Sequence, residues 1–338
     1  MKIDTLLPPG APTAIAATAR EYEALGFDCL WTFEAMSDAF IPLAHAAAAT
    51  SRIEIGTNIA VAFARSPFAM AQIAWDLQRD SGGRFRLGLG TQVRAHVEKR
   101  FSMPFDKPAA RVADYIRCVR AVWNTFQTGA RPDYEGPFYR FKLINAFFNG
   151  GPIEHPRIPI YLAGVNTGMC RVAGEVADGF HVHPVNTADY LRQVVRPAIE
   201  EGTRAAGRSM ADLELYAPIF IITGETQAEF DQMEQLVRRQ IAFYGATPTY
   251  ASVFEHHGYT ELGRKLGGLL REGKLDEMGA TIPADLLEQI AIIDQPANIG
   301  TRLRARYDGV LDRVALYRSM GGDGEFNRWH ELVSAIHA

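Results

Sequence analysis

Short apolar runs and helix-length amphipathic stretches alternate along the whole chain. Residues 3–7, 28–34, 53–63, 85–91, 159–165, 179–184, 213–223 and 313–319 read as strands. Several are unbroken aliphatic or β-branched runs, the pattern of a parallel sheet covered on both faces. Helices are expected at 12–25, 39–50, 67–81, 111–126, 168–177, 187–206 and 228–244, with a terminal helix at 325–336. Pro67 suits a first helical turn and Gly26 a helix stop. Eight β–α units in one chain predict the α/β class and a (β/α)8 TIM barrel, with a doubly wound sheet as the alternative. No linker or shift of composition divides the chain, so residues 1–338 read as a single domain.

Three stretches interrupt the rhythm, near 93–110, 128–157 and 245–282, and read as irregular insertions. Long excursions in a compact domain are usually functional. The first and third follow strands four and seven and are candidates for pocket and lid, against a packing or dimer role. The second contains YEGPFYRF, which reads as a small hairpin around Gly136-Pro137. All three are rich in Phe and Tyr, which fits an apolar or aromatic substrate or, more simply, packing of the loops onto the barrel.

The run SGGRFRLGLGTQ (81–92), taken with IEIGTNIAVAF (53–63), carries the most information. The second of these strands ends at Gly88, Gly90, Thr91 and Gln92, too open and polar for core packing alone. Small residues at strand ends let a flat ligand approach the backbone, which points to a cofactor site. A Rossmann nicotinamide site does not fit, because the third glycine of G-x-G-x-x-G is replaced as the chain runs Thr91, Gln92, Val93. Neither a phosphate-binding G-x-x-x-x-G-K-[ST] loop nor a G-x-S-x-G elbow occurs. His181 and His183 alternate on one strand and His256-His257 are adjacent, but no carboxylate stands at metal-ligand spacing, so no metal is predicted.

In a barrel, Glu34, Thr57-Asn58-Ile59, Thr91-Gln92, Ala163-Gly164-Val165 and His181–His183 would converge on one mouth. Glu34 reads either as a functional carboxylate or as a helix-capping or salt-bridged acid. Gly164, Asn166, Thr167 and Gly168 precede a helix, where free amides and the helix dipole favour a phosphate. An ordinary turn with Thr167 as N-cap is the competing reading.

Composition narrows the class without changing the architecture. The chain has 338 residues, 47% hydrophobic and 22% charged, with a formal net charge of −4. That balance speaks against nucleic acid or an anionic membrane as partner. No stretch approaches the roughly 18 to 20 apolar residues of a membrane span, and the start lacks an export-signal pattern. Cys29, Cys118 and Cys170 are scattered in apolar runs and read as buried thiols. A cytoplasmic location follows as the expectation.

These residues resemble a known family. ALGFDCLWTFE, IEIGTNIAVAFARSPFAMAQIAWDLQRDSGGRFRLGLGTQ, YEGPFYRF and GPIEHPRIPIYLAGVNTGMCRVAGEVADGF are together similar to the bacterial-luciferase-like oxidoreductases, most of all to the branch of coenzyme F420-dependent enzymes. The resemblance spans nearly the whole chain. It implies a barrel holding a flavin-type ring at the carboxyl ends of its strands, a non-prolyl cis peptide at Asn58-Ile59 behind the ring, and a dimer. It puts Glu34 near the ring, Thr91 and Gln92 beside it, and Ala163–Val165 with Asn166-Thr167-Gly168 near the cofactor phosphate. His181 and His183 complete the pocket. Sugar-phosphate dehydrogenases of the superfamily carry Asp-His at the end of strand two, where this chain has Glu34-Ala35, so that base is missing. Glu34 and His96 are the remaining candidates for proton transfer, His96 with a surface-helix role as its alternative. Hydride transfer between deazaflavin coenzyme F420 and a small apolar organic substrate is the expectation. The alternatives are an FMN-dependent monooxygenase and an inert ligand-binding barrel. Arg65, Arg94 and Arg171 would line a basic groove for the deazaflavin tail, or serve as surface charges.

Overall fold

The computed structural model describes residues 1–317 and 326–338. Eight parallel strands close into a barrel: β1 (Lys2–Leu6), β2 (Cys29–Thr32), β3 (Glu54–Thr57), β4 (Phe85–Gly90), β5 (Ile160–Gly164), β6 (Gly179–Val182), β7 (Glu214–Ile222) and β8 (Arg313–Leu316). Pairing runs in chain order around the ring, and β8 pairs with β1 to shut it. Except for β1, the strands are shorter than the apolar runs that announce them. The expected eighth strand ends on Arg318 and Ser319, which lie outside the described residues, as does Glu325 at the start of the expected terminal helix.

Helices α1 (Pro12–Leu25), α2 (Ile41–Ala49), α3 (Pro67–Asp80), α4 (Pro108–Thr128), α5 (Thr167–Val176), α6 (Arg196–Ala205), α7 (Gln227–Gly245) and α8 (Phe326–His337) surround the barrel. Local chemistry sets their ends. The Ser66 hydroxyl accepts from the Ala69 amide with Pro67 in the first turn of α3, and Gly26 closes α1 at φ 90°. Thr226 and Glu229 form a reciprocal capping box on α7. α5 is capped by Asn166, whose Oδ1 accepts from the Met169 amide at 2.9 Å, rather than by Thr167.

The insertions differ from their irregular reading in instructive ways. Segment 128–157 does contain an antiparallel hairpin, Tyr134–Glu135 with Arg140–Phe141. It is tied to α4 by Asp114, whose Oδ2 accepts from the Phe138 and Tyr139 amides, both at 2.8 Å. Segment 245–282 is mostly helical, with Ala251–His256, Leu262–Arg271 and Leu275–Ala280. Its glycines and charges hide the period: only Leu262 and Leu266 of the middle helix are buried. Beyond it lie elements with no counterpart in the sequence reading, among them a helix Ala284–Ile290, a short strand Ala291–Ile293 parallel to the end of β7 and a helix Ile299–Tyr307.

Inside the barrel the amino-terminal end is charged and the middle aromatic. Arg313 is wholly buried, its Nε and Nη2 each donating to Asp4 at 2.8 Å and its Nη2 lying 2.8 Å from Glu54. Arg86 pairs with Glu54, and Tyr161 donates its hydroxyl to Glu214. Burial pushes the Glu214 carboxyl up, but the Tyr161 hydroxyl and the cations of Arg313, Arg86 and Lys2 outweigh it and hold the group down to about 2. Above this plug, Trp31, Tyr161, His181 and Tyr216 fill the lumen, with His181 centred 4.8, 5.0 and 5.1 Å from the other three rings. Cys29, Cys118 and Cys170 are all buried free thiols.

Candidate active site

The third strand bends where the barrel opens. β3 stops at Thr57, the Asn58–Ile59 peptide is cis, and Ala60–Val61 resumes pairing with β4. Gly56 pairs with Arg86 and Ala60 with Leu89, so β3 uses four residues where β4 uses three. This is a bulge, the usual device for pushing backbone out of a sheet beside a site. The Thr57 hydroxyl locks the near side, donating to the Gly88 carbonyl at 2.6 Å and accepting from its amide at 2.9 Å.

Gly88 and Gly90 serve this bend and are not openings for a ligand, which corrects the sequence reading. A Cβ on Gly88 would lie 1.7 Å from the Thr57 carbonyl oxygen, and one on Gly90 2.8 Å from the Ile59 side chain. Gly164 is a packing residue too, since its Cβ would meet Met169 Cγ of α5 at 2.3 Å. Ala163, on the face shared with Tyr161, and the partly exposed Val165 remain at the mouth. Thr91 and Gln92 are also partly exposed there, Gln92 with a left-handed φ of 57°. Strain of this sort concentrates at functional sites.

Glu34 braces the bend from the far side. Its amide donates to the Ile59 carbonyl at 3.0 Å, and its Oε2 accepts from the Val61 amide at 2.7 Å. Arg65 Nη1 binds both carboxylate oxygens, at 3.0 and 2.8 Å, while Nη2 binds Asp38 at 2.6 Å. With both oxygens engaged, Glu34 has the surroundings of a structural carboxylate. His96 sits exposed on the short helix Arg94–Lys99 after β4. The proposed basic groove is not formed by its three arginines: Arg65 faces Glu34 and Asp38, Arg94 pairs with Glu98 at 2.7 Å, and Arg171 with Glu201 at 2.6 Å.

The two strand-six histidines part company. His181 lies below the mouth, fully enclosed, and burial, helped by the charge of Arg313, pushes its imidazole down to about 3. His183 reaches the mouth, where burial again lowers it to about 3. Both are neutral when folded, whereas unfolded histidine takes up a proton near pH 6.5. Since the folded pKa is depressed, folding stability falls as pH drops below 6.5, by about 1.4 kcal/mol per pH unit for the fully buried His181 imidazole. Urea unfolding between pH 7 and 5 should therefore show a falling midpoint, and His181→Phe should shed part of that slope. An unchanged slope in the variant would mean that His181 does not contribute.

Beside the mouth a cleft of about 340 Å³ is lined by Asn166, Thr167, Tyr190, Val194, Ser252 and His256. Tyr190 donates to Ser252 at 3.0 Å, and His256 contacts Asp189 at 2.7 Å. The first amides of α5, at Thr167 and Gly168, have no partners within their own helix. Amides, hydroxyls and an imidazole together make a donor set that suits a phosphate. The sequence reading found the α5 half of this cleft and missed Tyr190, Ser252 and His256. Their side of the cleft comes from a helix hidden in the third insertion and from the segment after β6. Among the described residues no cluster of His, Cys, Asp and Glu could hold a metal, and no helix is long and apolar enough to cross a membrane.

Comparison with known proteins agrees with this architecture. The luciferase-like monooxygenase family model matches residues 3–313. Protein Rv1360 of Mycobacterium tuberculosis is 42% identical over 93% of this chain and 92% of its own length. The "Putative coenzyme F420-dependent oxidoreductase Rv3520c" of the same organism is 33% identical over 85% of this chain and 84% of its own. Among solved structures, the coenzyme F420-dependent tetrahydromethanopterin reductase of Methanopyrus kandleri superposes with a TM-score of 0.80 at 24% identity, covering 99% of this chain and 98% of that one. At that identity the match speaks for the fold. The barrel, the bulged third strand and the family match over most of its length lead to one conclusion: this chain belongs to the luciferase-like monooxygenase family.

Proposed function

We propose that the protein is an oxidoreductase in which deazaflavin coenzyme F420 lies against the Asn58–Ile59 bend and exchanges a hydride with an uncharged organic substrate. The observation that carries this reading is the bend itself, held out from the sheet at the mouth and braced by Glu34, Thr57 and the space left by Gly90. A rigid, projecting backbone gives a planar ring a fixed seat, and positioning of the reacting carbon is the protein's main contribution to such chemistry. The relative whose name carries coenzyme F420 supports the choice of ring.

In this reading Asn58 and Ile59 support the ring face, while Thr91, Gln92, Ala163, Val165 and His183 border it. Asn166, Thr167 and Gly168, with Ser252 and His256 across the cleft, hold the phosphate of the tail. The bound coenzyme supplies the hydride-carrying carbon. Glu34 acts as the brace of the bend and not as the proton carrier, and the exposed His96 at the rim is the remaining candidate for exchanging a proton with solvent. An FMN-dependent oxygenase would use the same seat, and one solved neighbour of the fold is a Baeyer–Villiger monooxygenase in complex with FMN.

The test is titration of the purified protein with coenzyme F420 and with FMN, following quenching of ring fluorescence. Quenching by F420 at concentrations at least about tenfold lower than by FMN, a difference of ~1.4 kcal/mol, is the expected outcome. The reverse order would overturn the choice of coenzyme. Ala163→Trp, which puts an indole at the mouth, should weaken F420 binding by more than about tenfold (~1.4 kcal/mol). Unchanged binding would mean that the ring seat lies elsewhere.

A further inference from the structure

One wall of the mouth is built from four rings, of which the coenzyme seat borders only His183. His183 stacks on Tyr250 with centroids 4.0 Å apart and meets the edge of Tyr244 at 4.7 Å. Tyr244 in turn lies 6.4 Å from Tyr317, and their hydroxyls share a hydrogen bond. The four come from different parts of the fold: His183 follows β6, Tyr244 ends α7, Tyr250 starts the third insertion and Tyr317 follows β8. All are partly exposed. Rings gathered from four segments onto one opening make a preformed apolar surface.

The hydrogen-bond arithmetic of this wall is specific. His183 Nδ1 accepts from the Val185 amide at 3.1 Å, so the neutral ring carries its proton on Nε2. That N–H has no acceptor among the described residues. The Tyr244 and Tyr317 hydroxyls have two protons between them and one mutual bond, and Gln240 Nε2 donates to the Tyr317 oxygen at 3.2 Å. One phenolic proton is therefore left without an acceptor among the described residues, whichever hydroxyl donates. Burial pushes the Tyr250 phenol up to about 12 and raises Tyr317 further, which keeps both uncharged. The wall thus offers apolar ring faces and two neutral donors, with no counter-ion for a charged ligand among the described residues.

From this juxtaposition we infer that the mouth holds a substrate subsite for an uncharged ring compound bearing a hydrogen-bond acceptor, such as an aryl or cyclic ketone. Its ring packs on Tyr250 and Tyr244, and its oxygen accepts from His183 Nε2–H and the spare phenolic proton. An alkane ring would leave both donors unpaired, and a carboxylate would lose its hydration with no cation among the described residues in return. The inference rests on the reading of the mouth as an oxidoreductase site, but the wall is testable without the coenzyme.

The experiment is isothermal titration of acetophenone, ethylbenzene and benzoate into the full chain, with and without coenzyme F420. These three share a ring and differ in acceptor and charge. Acetophenone should bind about fivefold or more tighter than either of the others, the worth of one or two neutral hydrogen bonds. The paired substitution Tyr244→Phe and Tyr317→Phe keeps the rings and removes the phenolic protons. It should lower acetophenone affinity about fivefold, with ethylbenzene binding and F420 quenching unchanged. His183→Phe should lower acetophenone affinity to a similar extent through the other donor, with ethylbenzene binding measured without coenzyme unchanged, which guards against a fault peculiar to one variant. Equal binding of acetophenone and ethylbenzene, a preference for benzoate, or indifference of acetophenone to all these substitutions would overturn the subsite. Absence of F420 quenching with the three-ligand order intact would overturn the coenzyme reading and leave the wall standing.

Discussion

Asp4→Ala should destabilise the fold by about 3–5 kcal/mol, the range found when one partner of a buried ion pair is removed. Arg313 has no exposed surface, and two of its nitrogens donate to Asp4 at 2.8 Å. Asp4 also accepts from the Trp31 indole at 2.8 Å. Truncation would strand a guanidinium in the barrel lumen and leave the indole N–H without its partner. Glu54 and Glu214 lie 2.8 and 3.5 Å from Arg313 and would soften the loss, which keeps the estimate within that range. Urea unfolding, with the midpoint and slope fitted together, measures it. Asp4→Leu combined with Arg313→Met should lose much less, because no charge is then left buried alone. If the single substitution cost under about 1 kcal/mol, the plug would not be a stability element. The plug closes the amino-terminal end of the barrel, where residues of this fold serve stability and not chemistry.

Gly88→Ala should be nearly as damaging and should also remove the ring seat. The added methyl would lie 1.7 Å from the Thr57 carbonyl oxygen and 2.6 Å from His181 Nε2. The first neighbour is backbone, held by the two Thr57–Gly88 hydrogen bonds, so neither strand can yield without opening the bulge. Overpacking in a core costs about 1–3 kcal/mol, and a clash with backbone sits at or above the top of that range. Gly90→Ala is the informative contrast. Its methyl would meet the outer atoms of the Ile59 side chain at 2.8 Å, which can rotate away, so about 1 kcal/mol is expected. Thermal unfolding and F420 quenching should both fail for Gly88→Ala and fail only slightly for Gly90→Ala. Equal stability of Gly88→Ala and the parent chain would mean that the bend tolerates far more displacement than its packing implies.

The eight-fold β–α alternation was legible in the sequence because parallel strands buried on both faces must be apolar throughout, and their helices must carry one apolar stripe. Strand lengths were overread for the same reason: apolar character continues past the last ladder hydrogen bond into the packed mouth, as at 53–63, where the run hides the break after Thr57. The third insertion was misread because a helix laid on the surface needs few buried positions, and Gly267-Gly268 and the charges around them blur what period there is. The glycines of LGLG were correctly singled out but given the wrong work. A glycine that admits a ligand and one that admits a neighbouring carbonyl look identical in sequence.

Candidate residues divide in the same way. Thr91 and Gln92 stand out because they are polar and end an apolar run, and Thr57 and Asn58 because they interrupt one. That Arg65 meets Glu34 and Asp38, and Arg171 meets Glu201, could not be picked out. Pairing across 27 to 31 residues depends on which side of each strand end turns inward. Tyr190, Ser252 and His256 gave no sequence signal for a shared cleft, and neither did the wall of His183, Tyr244, Tyr250 and Tyr317. By itself the sequence determined the barrel and the order of its strands, since these follow from periodicity and from strand–helix order. Only the tertiary structure decided which glycines support the bend, which acid is a brace, and which distant rings form one wall. Those depend on the closure of the ring, which brings together side chains far apart in the chain.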